Sequence, residues 1–403
     1  MAVSEQVSNL PIYHVVFKAR SAARFRRETE QIWFNVGLEQ GPVQMRVRTR
    51  FTDEGHEAAI PRELFIEMRG PAVGMNVAID TFGPVAAAVA NVAAFSTNAA
   101  VHQVELYVAV DATPGLPERE FSQQYGPLES GFIGQGRAIN ANATGELFQL
   151  IASAGPELNP LAVALHHYAV ALTRWETGGE AFVLNHLYTA AEALEKTIKA
   201  QESATLGISE ERLHESLGIQ KNAVGAHYRR EVVFGGDREL YDRTKAASDG
   251  FEHGSLSIAE AQARALELCP RVFALIRTCV LDRLGATAEL RDVLLGEKYR
   301  WPLDPTLRRV MDGVFIGTGD EMGPPGYDFP YLAWDTTVSA LAFDEADDLQ
   351  AEITETHQVH CANGGSFRGR GYRIYRRPLD PENPPKPKLI KPIRVESGKA
   401  PSD

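Results

Sequence analysis

The chain has 403 residues, 44% of them apolar and 23% charged, which is an ordinary globular composition and excludes gross disorder. That length exceeds a usual single core, so two or three domains are expected. The net charge of −12 argues against nonspecific coating of nucleic acid. The charge is uneven, however. Residues 366–403 hold ten Lys/Arg against four Asp/Glu, a local +6 that leaves −18 on the remainder.

No apolar run reaches the roughly 20 residues needed to span a bilayer, the longest being residues 85–95, so no membrane partner is expected. The first residues lack the basic-then-apolar order of a signal peptide. The three cysteines, Cys269, Cys279 and Cys361, are too few and too scattered for a disulfide framework. A reducing cytoplasm is the expected location.

Residues 1–157 read as a mixed α/β domain. Short runs rich in aromatic or β-branched residues at 12–17, 31–38, 43–51, 64–69, 75–79 and 103–110 are expected strands. In the third, Arg46, Arg48 and Arg50 alternate with Val47, Thr49 and Phe51, so one sheet face carries the arginines. A half-exposed antiparallel strand accounts for this better than a phosphate-binding face. Residues 84–95 read as an alanine-rich helix with Pro84 in its first turn. Residues 131–145 read as a loop, because Gly134, Gly136 and Ala138 do not follow a strand-to-helix dinucleotide fingerprint.

From residue 158 to 297 the pattern is helical. Leu161, Leu165, Tyr168, Leu172 and Trp175 make one apolar stripe, and Leu184, Leu187, Ala191, Leu194 and Ile198 make a second. A short turn at Gly178-Gly179 folds the two into an antiparallel hairpin. Ser209 opens a short capped helix running to Leu217. A charged helix over 237–253 starts at Asp237 and stops at His253-Gly254. Its Asp249 lies one turn before His253 on the same face and is expected to pair with it. A long helix over 258–284, which Pro270 should kink, and a shorter one over 288–295 complete the bundle. Cys269 and Cys279 fall in the long apolar helix and read as core.

Residues 298–377 form a β-rich segment. Strands are expected at 336–343 and 350–361, the latter pairing with 371–376 across Gly364-Gly365. Residues 378–403 form a Pro/Lys-rich tail that buries little apolar surface.

The candidate chemistry is sparse. GxSxG, Walker A and HExxH motifs are absent, as is any CxxC, and no cofactor is implied. The helical hairpin contains His166, His167, Arg174, Asn185, His186, Glu192 and Glu195. Adjacent His166 and His167 cannot point the same way, so no metal site is read there. His357, His360 and Cys361 also fail as a metal cluster, since alternation puts His360 on the opposite strand face. The run SFRGRGYRIYRR interleaves Arg368, Arg370, Arg373, Arg376 and Arg377 with Tyr372 and Tyr375. Arginine contacts phosphate and aromatic rings stack on unpaired bases, which makes RNA a possible partner.

The stretch FVLNHLYTAAEALEKTI, followed later by ASDGFEHG, resembles the HEPN superfamily and within it the ApeA-like branch. The resemblance covers about residues 158–290. With the flanking regions read above, the chain is expected to be an α+β multidomain protein, and the resemblance implies that its central all-α domain is an HEPN-like helical bundle, homodimeric through that bundle, with work in defence, stress or RNA processing. Its active members are metal-independent endoribonucleases that use an R-x4-6-H motif. Carried over, His253 takes the histidine position and Glu192 the hairpin glutamate. Four intervening residues back from His253 stands Ser248, where the family has arginine, and the nearest upstream arginine is Arg243. The expected function is therefore a noncatalytic binding or scaffolding protein, with RNA or a protein as partner. On that reading Ser248 and Asp249 are structural. The alternative is a ribonuclease built on His253 with Arg243 as a non-standard cation.

Overall fold

The computed structural model describes residues 10–27, 29–52, 60–114, 121–123, 137–155, 159–177, 179–303, 308–316, 331–343, 349–360 and 366–375. Strands β1 (Ile12–Arg20), β2 (Ala23–Arg24), β3 (Gln31–Leu38), β4 (Gly41–Thr52) and β5 (Ile60–Pro71) precede helix α1 (Met75–Thr97). Then come β6 (Glu105–Asp111), β7 (Phe121–Gln123), β8 (Arg137–Ala138) and α2 (Ala141–Ala152). The sheet has the order β3-β4-β5-β1-β6-β7, every neighbouring pair antiparallel, while β2 and β8 form a small parallel pair.

Register explains which sheet face is apolar. Val15 lies opposite Met68, Phe17 opposite Ile66, Met45 opposite Met68 and Val47 opposite Ile66, and all six are buried. One layer of side chains thus faces α1, which packs against β1, β5 and β6. On the other face Arg46 and Arg48 both bond to Glu67, and the His14 imidazole lies 3.6 Å from the same carboxylate.

Three expectations for this region change. Residues 75–79 are the first turns of α1 and not a strand. Their alternation of apolar residues is real, but the helical period of Ala78, Phe82, Ala86, Val89 and Ala93, all buried, prevails through packing. Pro84 consequently lies inside the helix and not in its first turn. The expected loop over 131–145 gives way, from residue 141, to α2, whose N-cap Asn140 side chain accepts the Ala143 amide at 3.1 Å.

Helix α1 is 23 residues long and, by length and composition alone, apolar enough to cross a membrane. Here one side meets the sheet and the other meets α3 (Asn159–Thr177). Helix α4 (Val183–Leu206) returns against α3 as the expected hairpin, with both apolar stripes buried. Short helices α5 (Leu213–Leu217) and α6 (Val224–Tyr228) follow, then a π turn at Arg229–Val233. Ser209 makes no side-chain cap, and that segment begins as a 3-10 turn. Helices α7 (Arg238–Glu252), α8 (Ile258–Arg283), α9 (Ala288–Leu295) and α10 (Glu297–Arg300) complete the helical region. Helix α8 opens with a capping box from Ser257 and Glu260 and runs on through Pro270. Cys269 and Cys279 are buried in it, and burial pushes the Cys279 thiol up to about 12.

Among the described residues, one apolar core includes side chains of both the sheet and the helices. Phe95 of α1 meets the Tyr168 ring edge-on at 5.2 Å, and Tyr168 meets Phe273 of α8 at 5.2 Å. Buried polar groups reinforce the joint. Tyr168 donates its hydroxyl to Asn98 Oδ1 at 2.6 Å, and Asn98 Nδ2 donates to the Tyr299 carbonyl at 3.0 Å. Asn98 ends α1 in the left-handed conformation at φ 49°, which asparagine tolerates better than other side chains. Arg277 of α8, fully buried, donates to the carbonyls of Tyr299 (2.9 Å), Leu294 (2.5 Å) and Ser96 (3.4 Å).

The last strands are β9 (Arg308–Ile316), β10 (Tyr331–Phe343), β11 (Leu349–His360) and β12 (Ser366–Tyr375). The expected pairing between 350–361 and 371–376 is replaced. β11 pairs antiparallel with β10, and β12 with β9. Cys361, Arg376, Arg377 and the Pro/Lys-rich tail lie outside the described residues.

Candidate functional site

Helix α7 begins where expected. The Asp237 side chain accepts the Leu240 amide at 3.1 Å and also holds Arg271 at 2.5 Å. It ends at His253, whose amide bonds the Asp249 carbonyl at 2.9 Å, and Gly254 follows in the left-handed conformation at φ +68°. The chain then folds back sharply. The amides of Ser255 and Leu256 both donate to the Gly250 carbonyl, at 2.8 and 3.0 Å. A Cβ on Gly250 would lie 2.8 Å from Leu256 Cγ, closer than side-chain carbons approach. Gly250→Ala is therefore expected to lower stability by about 1 kcal/mol, the overlap exceeding the helix-propensity gain. A urea titration showing a raised midpoint would sink this expectation.

The expected site residues do not converge. His253 is exposed at the helix end, and no described residue makes a hydrogen bond or ion pair to its imidazole. Asp249 is held by Lys245, one turn earlier, so the expected Asp249–His253 pair is not formed. A lysine is always charged at neutral pH and outcompetes an imidazole for the same carboxylate. Arg243 turns toward α8, bonding Glu267 at 2.5 Å with Glu239 at 3.8 Å, and these partners raise its pKa further. It lines a cleft of about 520 Å³ between α7 and α8 with Asp242, Ala246, Arg264, Glu267 and Leu268. Two guanidiniums there face two carboxylates, so the cleft has no excess charge for an anion. Ten residues of helix separate Arg243 from His253, a rise of roughly 15 Å. Ser248, at the motif's arginine position, is 3% exposed, so the side chain there faces the core.

Glu192 of α4 meets a different cation. Arg229, from the π turn, sits 3.7 Å from Glu192 and forms a closer ion pair with Glu195, which also holds Lys199 at 3.1 Å. Gly225 makes room for this, since any Cβ there would stand 2.6 Å from Glu195 Oε1. The Arg229 guanidinium also lies over the Tyr188 ring at 5.7 Å, a cation–π contact. Burial alone would lower the Arg229 pKa, but Tyr241, Tyr188 and Glu195 raise it. This Arg229–Glu195 centre was not anticipated. Glu195 falls on the expected hairpin, but the basic pair Arg229-Arg230 lies between α6 and α7 in a stretch with no periodic pattern, so pattern reading assigns it no face.

On the sheet, Arg46 and Arg48 are committed to Glu67 and form no open phosphate-binding face. Burial by itself would raise the Glu67 pKa. Hydrogen bonds from His14, Arg48 and Arg46 instead hold it at about 2. Arg368, Arg370, Tyr372, Arg373 and Tyr375 lie on β12, whose backbone is paired to β9. Among the described residues, no group of three His, Cys, Asp or Glu side chains is arranged to hold a metal ion.

Comparison with family models, with curated proteins and with solved structures returns no match for the chain.

Proposed function

We propose that this chain is a binding or scaffolding protein whose HEPN-like helical bundle does not cleave RNA. The observation that carries this reading is the separation of its two candidate catalytic groups. Phosphodiester cleavage needs an imidazole for proton transfer and a cation on the developing phosphorane charge at the same phosphate. His253 stands alone at the end of α7, while Arg243 is engaged by carboxylates on another side of the helix. The Arg229 guanidinium near Glu192 is engaged by Glu195. RNA, or a protein, met by the basic C-terminal segment in a cytoplasmic defence or stress role is the partner class this reading favours, with the bundle as the dimer contact.

The test is a metal-free RNA-cleavage assay on the wild type and His253→Ala. Intact transcript with both proteins is expected. Cleavage by the wild type that His253→Ala abolishes would overturn the proposal in favour of a ribonuclease. Binding is read separately by titrating single-stranded RNA at rising salt. Neutralising Arg368, Arg370 and Arg373 is expected to flatten the salt dependence, because each lost phosphate contact releases one fewer counterion.

A further inference from the structure

The fold brings together two histidines that lie 19 residues apart in the chain. His167 on α3 and His186 on α4 face each other across the hairpin, Nδ1 to Nδ1, at 3.3 Å. Their rings are near-parallel, at 29° with centroids 5.6 Å apart. The exposed ring of His166 has its centroid 5.6 Å from that of His167. Both members of the pair are only half-buried, so solvent and solutes reach them.

We propose that His167 and His186 form a two-nitrogen site for a borderline divalent cation such as Zn²⁺, Ni²⁺ or Cu²⁺. The spacing fits. Zinc–imidazole bonds are about 2.0–2.1 Å, and two of them at a tetrahedral angle place the nitrogens about 3.3 Å apart. Imidazole selects these cations over Mg²⁺ and Ca²⁺, which take oxygen ligands. The protonation state fits as well. Burial, then the charge of His166, lowers the His167 pKa; burial, then His167, Arg174 and His166, lowers that of His186. Both shifts favour the neutral ring, the form that ligates.

In the empty site one Nδ1–H donates to the other Nδ1. On binding, that proton moves to Nε2, both Nδ1 lone pairs go to the metal, and no net proton is released. Among the described residues no third ligand is preassembled, so the remaining positions belong to water, or to His166 after rotation about its side chain. Arg174 places a positive charge near His186, which moderates the affinity. The site joins α3 to α4, so an occupied site would clamp the hairpin.

The experiment is a calorimetric titration of the full chain with Zn²⁺ or Ni²⁺ alone at pH 7.5, with thermal unfolding as a second readout. One saturable equivalent and a metal-dependent rise in the unfolding temperature are expected. His167→Gln and His186→Gln should each weaken binding at least about tenfold, as loss of one of two ligands requires, and abolish the thermal shift. His214→Gln, on α5 where its ring meets the Glu211 carbonyl and not the pair, should leave both unchanged. Co²⁺ in place of Zn²⁺ should show the visible bands of tetrahedral coordination, which a merely structural histidine pair would not produce. Unfolding curves of the metal-free variants separate lost binding from lost folding. The proposal fails if the wild type shows no saturable binding, or if either glutamine variant, folded, binds as the wild type does. In either case the pair is a hydrogen bond between neutral rings and nothing more.

Discussion

Arg277→Ala is expected to lower the unfolding free energy by about 3–5 kcal/mol, the largest loss for any single side chain considered. Arg277 is fully buried, and among the described residues its hydrogen-bond acceptors are backbone carbonyls and not carboxylates. Its charge is neutralised by dipoles. The carbonyls of Leu294 and Ser96 belong to the last turns of α9 and α1, where backbone oxygens lack helical partners and the helix dipole is negative. The guanidinium also lies over the Phe95 ring at 5.3 Å. Burial lowers the Arg277 pKa, yet arginine remains charged, so the carbonyls are required to hold it. Removing it orphans the Leu294 and Ser96 carbonyls in the interior, at about 1–3 kcal/mol each when no water replaces the donor, leaves the Tyr299 carbonyl to Asn98 alone, and opens a void. Arg277→Met restores much of the volume without the donors and should recover only about 1 kcal/mol. Urea titrations of the three proteins decide the matter. A loss below about 1 kcal/mol for the alanine variant would show that water satisfies the carbonyls.

Glu67→Gln is expected to cost about 2–3 kcal/mol at pH 7. The carboxylate sits 7% exposed beneath Arg46, Arg48 and His14, and its pKa is held down from 4.5 to about 2. Each unit of depression is about 1.4 kcal/mol of preference for the ionised, folded form. A depressed acid stabilises the fold above its unfolded pKa and loses that contribution as pH falls through its folded pKa. The window therefore runs from about 4.5 down to about 2. Glutamine does not titrate, so the stability gap between the two proteins should be full at pH 6–7 and close steadily below pH 4.5. A gap that stays constant from pH 7 to pH 3 would mean that Glu67 acts through packing or neutral hydrogen bonding, and not as an ion.

How far the sequence discloses this structure depends on whether the determining contacts are periodic. The α3 and α4 stripes are visible because Leu165, Trp175, Leu187 and Leu194 recur at helical spacing against a common core. The two ends of α7 are visible because Asp237 and Gly254 are local signals. Residues 75–79 mislead because Met75, Val77 and Ile79 alternate like a strand, and only the neighbouring sheet and α3 decide for helix. β12 pairs with β9, more than fifty residues away, and nothing local to Gly371–Tyr375 distinguishes that partner from β11. The site residues follow the same rule. Glu192 and His253 stand in local motifs, so they can be named as candidates from the sequence. Arg229 and the partnership of His167 with His186 exist only after the hairpin and the π turn have folded, so residue spacing alone does not reveal them.

The joint at Asn98, Tyr168 and Arg277 bears on how this protein could be divided. A fragment starting at residue 158 would keep Tyr168 and Arg277 but lose Phe95, Ser96 and Asn98, the groups that occupy them. The complementary fragment would leave the alanine-rich back of α1 bare to water. Neither piece would inherit a finished interior. Inheritance, exchange or truncation of the helical region by itself would therefore demand a replacement for α1, and the two halves are bound to be kept or lost as one unit.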